Sequence, residues 1–536
     1  MIRKKDKNPL IIVVTAILVM ALTSNGKVKA QTNNIKNDSF WKTRDGQTIY
    51  SQGGGIFQFD DPKSGIKKYY WYGVHYAEAD LYKNDPSITQ PKATFESVTC
   101  YSSTDLTNWT SEGDVLTKGE TNKNGKTWVG RLGVAYLKEL KKYAMFVQHG
   151  NQVLITTSDA PNGQFKWHQR INMEPMIGTS NTGDQTVFTD EDTGKSYLVY
   201  SYGRGRNKIY ISEIGVKNGK VNLLDCTEIF KGESREGNCM FKYGGKYYMY
   251  ASNIYGWDGS LAYYLVSDDV KGPYLPTNKM LVTEGSLDDY AHISQTGFFV
   301  NVKGTEKETV IYCGDRWSDF AGNGLGYNQW CPITFEGKKP YFNSLNSWNL
   351  NVNTGQWNVA MDNDFVKNGS FEADRKRIPS VVKPLQTQLT GWKTEIIEGN
   401  KIGLDSLTSP SLNHFNTQNE RSVVIGEKSL NISDKVNFKR KISQIISSSK
   451  NVILSDGNYK LTAKVKNNKA FNKLEMYAFS NGTRQSYDFK EENNEWKTIN
   501  IEGIKVFKGK IEIGFLADGK ANASCFVDDV SLIKMK

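Results

Sequence analysis

Residues 235–252, "REGNCMFKYGGKYYMYAS", are two β-prone runs joined by a Gly-Gly turn. Tyrosine, methionine and phenylalanine fill the runs, and no 3.6-residue periodicity competes with an antiparallel hairpin. The second run has relatives elsewhere in the chain: "KKYYWYGV" from Lys67, "KKYAMFVQ" from Lys141, "KSYLVYSY" from Lys195 and "TVIYCGDRW" from Thr309. Each is followed by a further strand that ends in a polar turn, such as "VTCYSSTDLTNW" or "AYYLVSDDVKGPY". Five such units, spaced by roughly fifty to seventy residues, suit five four-stranded blades closed into a ring. The reading is all-β: a five-bladed β-propeller over residues 31–355, followed by a second unit.

That second unit begins at "VKNGSFEADRKR" and ends at "FVDDVSLIKMK". Alternating strands such as "DGNYKLTAKVKNN" between Asn/Gly/Asp turns predict a jelly-roll-like β-sandwich over 364–536. The first thirty residues stand apart from both. Arg3, Lys4, Lys5 and Lys7 precede an apolar run from Leu10 to Leu22, and Val28-Lys29-Ala30 supplies small residues for cleavage. This predicts a signal peptide over 1–30 and a periplasmic or extracellular protein without a membrane span.

The net charge of +11 is inflated by that leader, which holds six Lys/Arg against one Asp and leaves about +6 on the remainder. Its lysines are scattered, with no basic helix or arginine stripe, which argues against nucleic acid as a partner. The six cysteines show no CxxC spacing, so a zinc site is not indicated and buried free thiols are expected.

In a propeller the inner strands of all blades converge at the mouth of the channel, so polar residues that open each unit can meet. These openings are "SQGGGIFQF" with Gln52, "WVGRLGVAY" with Arg131, "TGDQTVF" with Asp184, "REGNCMF" with Arg235 and Glu236, and "DDYAHISQTGFFV" with His292 and Gln295. Asp184 and Glu236 each precede an apolar strand at matching places. Two such carboxyl groups suit glycosidic cleavage, one protonated to serve the leaving oxygen and the other tuning it. The alternative for Glu236 is a salt bridge to Arg235 or Arg131. The acids of "DEDTGK" (190–195) read as turn chemistry. Trp257, Trp317 and Trp330 are candidates for a sugar-stacking wall. Arg131 and Arg316 are candidate donors to sugar hydroxyls or to Asp184, His292 a candidate ligand of a central ion, and Asp315 a structural acid.

The motifs "GGGIF…YYWYG", "VTCYSSTDLTNW", "GDQTVFTDEDTGKSYLVYS", "REGNCMFKYGGKYYMYAS…GW" and "SQTGFF…YCGDRW" occur in this order. Over residues 40–350 the chain resembles glycoside hydrolase family 43, and most of all its exo-β-1,3-galactanase branch. The last 170 residues are similar to the carbohydrate-binding modules appended to such enzymes. The resemblance implies an inverting, secreted glycosidase, galactan 1,3-β-galactosidase-like, that acts on a polysaccharide or oligosaccharide. It implies Glu236 as general acid, Asp184 as the carboxylate that tunes it, and Gln295 as a stand-in base that orients water or works through its imidic tautomer. Candidate sugar contacts are Gln52, Arg131, Arg235, Trp257, His292, Arg316, Trp317 and Trp330, with burial between blades the alternative for the tryptophans and simple packing for His292. No cofactor is required, although the channel could house a structural calcium ion.

Three positions depart from the branch pattern. Gln52 stands where histidine is usual, "GRLG" replaces Glu-Arg-Pro-Lys so that Gly130 takes the place of an acid, and Glu236-Gly237-Asn238 replaces Glu-Ala-Pro. Two other readings therefore stay open: an α-L-arabinofuranosidase or other exo-glycosidase, and a non-catalytic glycan-binding propeller.

Overall fold

The computed structural model describes residues 33–86, 90–121, 129–150, 152–318, 323–373, 389–400, 412–413, 426 and 428–536. The leader at 1–30 lies outside them. Five antiparallel sheets form the ring. Blade 1 is Gln52–Asp60, Lys67–Tyr76, Phe95–Ser103 and Thr110–Thr117. Blade 2 is Leu132–Leu137, Lys142–His149, Gln152–Ser158 and Lys166–Ile171. Blade 3 is Thr182–Asp190, Lys195–Tyr202 and Lys208–Lys217, with Lys220–Leu223 and Thr227–Lys231 both pairing with the third strand. Blade 4 is Glu236–Tyr243, Lys246–Ser252, Tyr263–Ser267 and Leu281–Val282, and blade 5 is Gln295–Lys303, Glu308–Ser318, Asn323–Glu336 and Lys339–Phe342. Inner strands of successive blades pack on one another, and the fifth returns to the first. The recurring "KYYMYAS"-type run is the second strand of each blade. It is buried on both faces because blades press on it from either side, which is why it lacks an apolar/polar alternation.

Among the described residues each blade is built of strands consecutive in the chain. A separate sheet ties the propeller's two ends, with Ser347–Leu350 pairing with Asn33–Lys36 on one side and Trp357–Val359 on the other. Asn37 secures this join: its amide donates to the carbonyls of Trp330 (2.8 Å) and Leu345 (2.7 Å) and accepts from the Trp330 N–H (2.7 Å). Trp41, Trp71, Trp109 and Trp330 pack at ring-centroid distances of 4.4–6.4 Å between blades 5 and 1. Trp330 is fully buried in that cluster. It cannot stack on a sugar, which corrects its assignment to the substrate wall. Its place on the third strand of blade 5 turns it into the seam between blades.

The C-terminal domain is a sandwich of two five-stranded sheets. One contains Lys393–Glu398, Phe438–Ser447, Lys510–Gly519, Phe471–Ser480 and Thr483–Asp488; the other Leu412–Asn413, Ser429–Ser433, Ser524–Lys534, Gly457–Asn467 and Asn493–Val506. In Gly457–Asn467, Tyr459, Leu461, Ala463 and Val465 face the core while Lys460, Thr462 and Lys464 face outward. A sheet with one wet face imposes this period of two. The six cysteines are free, all but Cys226 fully buried. No helix among the described residues is long and apolar enough to cross a membrane.

Trp330→Ala should cost about 3–5 kcal/mol of stability through lost contacts and a residual cavity. Thermal or denaturant unfolding of the two proteins measures it.

Candidate active site

The inner strands begin at one end of the channel, and four of them begin irregularly. The pairing slips by one residue between Gln52 and Gly55, Thr182 and Gln185, Glu236 and Cys239, and Thr296 and Phe298. A β-bulge at the rim of a sheet turns side chains out of the pleat. Here the bulges aim Gln52, Asp184, Glu236 and Gln295 into the channel mouth. Gly237 shows why the bulge in blade 4 takes glycine. Its φ is +63°, and a Cβ there would meet the Thr296 carbonyl oxygen at 2.4 Å. The turned Gly237 N–H donates to Asp184 Oδ2 at 2.9 Å.

Arg131 lies at the centre of this ring of side chains and is 5% exposed. Nε donates to Asp184 Oδ2 (2.9 Å) and Nη1 to Asp315 Oδ2 (2.7 Å); Nη2 donates to Gln295 Oε1 (2.9 Å) and to the Thr296 carbonyl (3.2 Å). These donors are committed to protein: of the two roles expected of Arg131, the bond to Asp184 is present, and it is not built as a sugar ligand, which corrects its expected substrate-binding role. Asp315 is 1% exposed and also accepts from Asn328 Nδ2 at 2.9 Å, in keeping with a structural acid.

Glu236 opens the inner strand of blade 4 and is 8% exposed. Its Oε1 accepts from Gln295 Nε2 at 2.9 Å, and Oε2 lies 3.4 Å from Arg206 Nη1. Burial, then the nearby charge of Asp184, pushes the Glu236 carboxyl up to about 7, against the pull of Arg206 and Arg131. Asp184 moves the other way. Burial opposes its ionisation, but Arg131, Arg206 (3.8 Å from Oδ1) and the Gly237 N–H outweigh burial and hold it below the ordinary carboxylate range. One carboxyl is therefore held as the acid near neutrality and its neighbour as the anion.

Gln295 Oε1 accepts from both Arg131 Nη2 and Trp317 Nε1 (2.8 Å). Those two donors favour the ordinary amide over its imidic tautomer, whose hydroxyl would face them. Trp317 meets the half-buried Trp257 edge to face at 5.0 Å, and the pair flanks Gln295. Gln52 Nε2 lies 3.5 Å from the Arg316 carbonyl, while its buried Oε1 accepts no hydrogen bond.

Three further expectations are corrected by position. Arg235 turns away from Glu236: it bonds Asn253 Oδ1 (2.9 Å), pairs with Glu233 and lies over the Tyr263 ring at 4.0 Å. His292 sits in a turn, Tyr290–Ile293, whose four residues all have positive φ. Its ring contacts Ser344 Oγ (2.8 Å) and Asp38 Oδ2 (3.0 Å), away from the channel. Burial works against its charge, yet Asp38 and Asp289 hold its pKa well above the ordinary histidine value. It is a buried ion-pair residue, not a sugar or ion ligand. Arg316 spends Nη1 on the Trp317 carbonyl (2.7 Å), and its Nη2 faces Glu372 at 3.9 Å, so it supports the wall from behind and is no sugar donor.

Sequence reading missed Arg206. It lies on the loop between the second and third strands of blade 3, in "GRGRNK". In an up-and-down blade that loop returns to the end where the inner strand starts, as does the loop that carries Trp257. Among the described residues no three His, Cys, Asp or Glu side chains gather to hold a metal. A cavity of about 870 Å³ opens at the opposite end of the channel, lined by Asp60, Asp190, Glu191, Lys242 and Lys303 among others. It is remote from Glu236, and Asp190 there is engaged by Tyr247 (2.8 Å) and Lys242 (3.2 Å).

A five-bladed ring whose mouth pairs a raised glutamic acid with an ionised aspartate has the layout of a propeller glycosidase. Residues 74–326 match the family model described as Glycosyl hydrolases family 43. The arabinoxylan arabinofuranohydrolase of Paenibacillus polymyxa is 25% identical over 227 residues, which are 36% of this chain and 35% of that protein. The chain thus spans about a third of the length of this curated relative. The exo-beta-1,3-galactanase of Phanerochaete chrysosporium, solved with beta-1,3-galactotriose, is 19% identical with a TM-score of 0.53, over 93% of this chain and 100% of that one. The exo-beta-1,3-galactanase of Clostridium thermocellum is 17% identical with a TM-score of 0.52, over 94% and 100%. At these identities the solved structures establish the fold.

Because Glu236 must be protonated to act as an acid, activity should fall as pH rises through about 7. Arg206→Met removes a charge that favours the carboxylate and should move this alkaline limb upward. Asp184→Asn removes the charge that disfavours it and should move the limb downward. The pH profiles of kcat/KM for the three proteins check both directions.

Proposed function

We propose that the protein is a secreted, exo-acting glycoside hydrolase that releases galactose from β-1,3-linked galactan chains. The observation that carries this reading is Glu236, a buried carboxyl at the channel mouth held in its acid form near neutrality beside an anionic Asp184. Glu236 gives its proton to the glycosidic oxygen as the bond from that oxygen to the anomeric carbon breaks. The developing positive charge on the sugar ring is offset by Asp184, and water adds from the opposite face with inversion. Blade 1 supplies no carboxylate base. Gln295, as an amide, holds Glu236 in place. Amides orient water but take up a proton poorly, so the proton leaves through solvent.

The galactan assignment draws on the activity named for the two solved galactanases that share the fold. A second reading, an α-L-arabinofuranosidase, draws on the P. polymyxa relative. Export draws on the leader-like residues 1–30, and glycan tethering by the sandwich on its likeness to carbohydrate-binding modules.

Glu236→Gln is nearly isosteric and should lower kcat by about 10²–10⁴-fold with an unchanged melting temperature. Product release from β-1,3-galactan, arabinogalactan, arabinoxylan and aryl glycosides checks both the acid and the sugar. Galactose from the unaltered protein supports the first reading and arabinose the second. No product from any substrate, with retained binding to one glycan, would make the propeller a lectin.

A further inference from the structure

Where the sandwich meets the propeller, four charged side chains lie together out of water. Asp258 and Arg316 come from the propeller, Glu372 and Lys428 from the sandwich, and Lys428 is only 1% exposed. Lys428 Nζ is 3.6 Å from Glu372 Oε2 and 3.8 Å from Asp258 Oδ1. Glu372 Oε1 accepts the Lys428 backbone N–H at 2.7 Å, and its Oε2 faces Arg316 Nη2 at 3.9 Å. Beside them Ala373 of the sandwich packs with Leu261 and Tyr290 of the propeller in a small buried apolar cluster. Among the described residues two positive and two negative groups face one another, and such pairing lets charges tolerate burial.

The position of the network gives it a consequence. Asp258 follows Trp257, and Arg316 precedes Trp317 and donates to its carbonyl at 2.7 Å. The two tryptophan rings touch, and Trp317 holds Gln295, which holds Glu236. A continuous series of contacts therefore runs from the sandwich to the acid.

We propose that the sandwich is a working part of the active site, with Lys428 and Glu372 as positioning residues that fix the Trp257–Trp317 wall against which the terminal sugar rests. This inference rests on the glycosidase reading. It differs from tethering because it predicts an effect on substrates too small to touch the sandwich.

Lys428→Met keeps the stem of the side chain and removes the charge. With an aryl galactoside of one sugar, this variant should raise KM about fivefold or more while kcat stays within roughly twofold, since Glu236 keeps its partners. Hydrogen exchange at residues 253–262, followed by mass spectrometry, should speed up roughly tenfold. Lys428→Arg should restore much of both. Asn451→Ala, which removes a 3.0 Å bond from the sandwich to Thr334 on the same domain boundary, should move neither. Unchanged KM and exchange in a folded Lys428→Met protein would reduce the sandwich to a tether. Equal effects from Asn451→Ala would reduce the network to one of several domain contacts. If Lys428→Met does not fold, Asp258→Asn should give the same rise in KM, and no rise there overturns the proposal. Should the unaltered protein cleave no glycoside, the glycosidase reading falls, and the exchange comparison alone supports or overturns the coupling.

Discussion

The channel mouth depends on one guanidinium. Arg131 projects from just before the inner strand of blade 2 and binds Asp184 of blade 3 and Asp315, Gln295 and Thr296 of blade 5. A planar, permanently charged fork can satisfy several acceptors at fixed angles at once, which a lysine cannot. Three blades are thereby locked in relative position at the point where their strand ends meet. The buried charge is tolerable because two carboxylates and two carbonyl oxygens surround it. Loss of the fork would leave Asp184 and Asp315 buried without their shared cation, so its contribution is to architecture and electrostatics together.

From that lock follows the division of labour between the acids. Asp184 touches Arg131, Arg206 and a backbone N–H and stays ionised. Glu236 receives a neutral amide and a more distant cation, and burial dominates. The two residues have the same chemistry, and their environments push them apart. The bulges matter here as much as the charges. A regular strand would direct alternate residues at neighbouring blades, whereas one extra residue at the rim directs a side chain into the opening.

The ring itself was legible in the chain. Five strand pairs of similar composition, with Gly, Asn and Asp turns, specify blades because aromatic and β-branched runs buried on two faces leave no alternative period. The alternating "NYKLTAKVK" likewise specifies a sheet with one wet face. Asp184, Glu236 and Gln295 were legible because equivalent openings of repeated units must converge when the units close. Trp330, His292, Arg235 and Arg316 were misread for one shared reason. Residue type and nearness to an opening say nothing about which side of a strand or turn faces the channel. Arg206 was missed because attention to strand openings ignores the loops between second and third strands, which return to the same end.

The amino-acid sequence by itself determined the all-β architecture, the number of blades, the second domain and the presence of a carboxyl pair at matching positions. These rest on local periodicity and on repetition, and both are properties of the chain read in order. Only the tertiary structure decided which carboxyl keeps its proton, that Arg131 spends its donors on the protein, and that Lys428 and Glu372 of the sandwich meet Asp258 and Arg316 of the propeller. These depend on distances and burial between residues up to about two hundred positions apart. Such distances exist only once the ring has closed and the sandwich has docked.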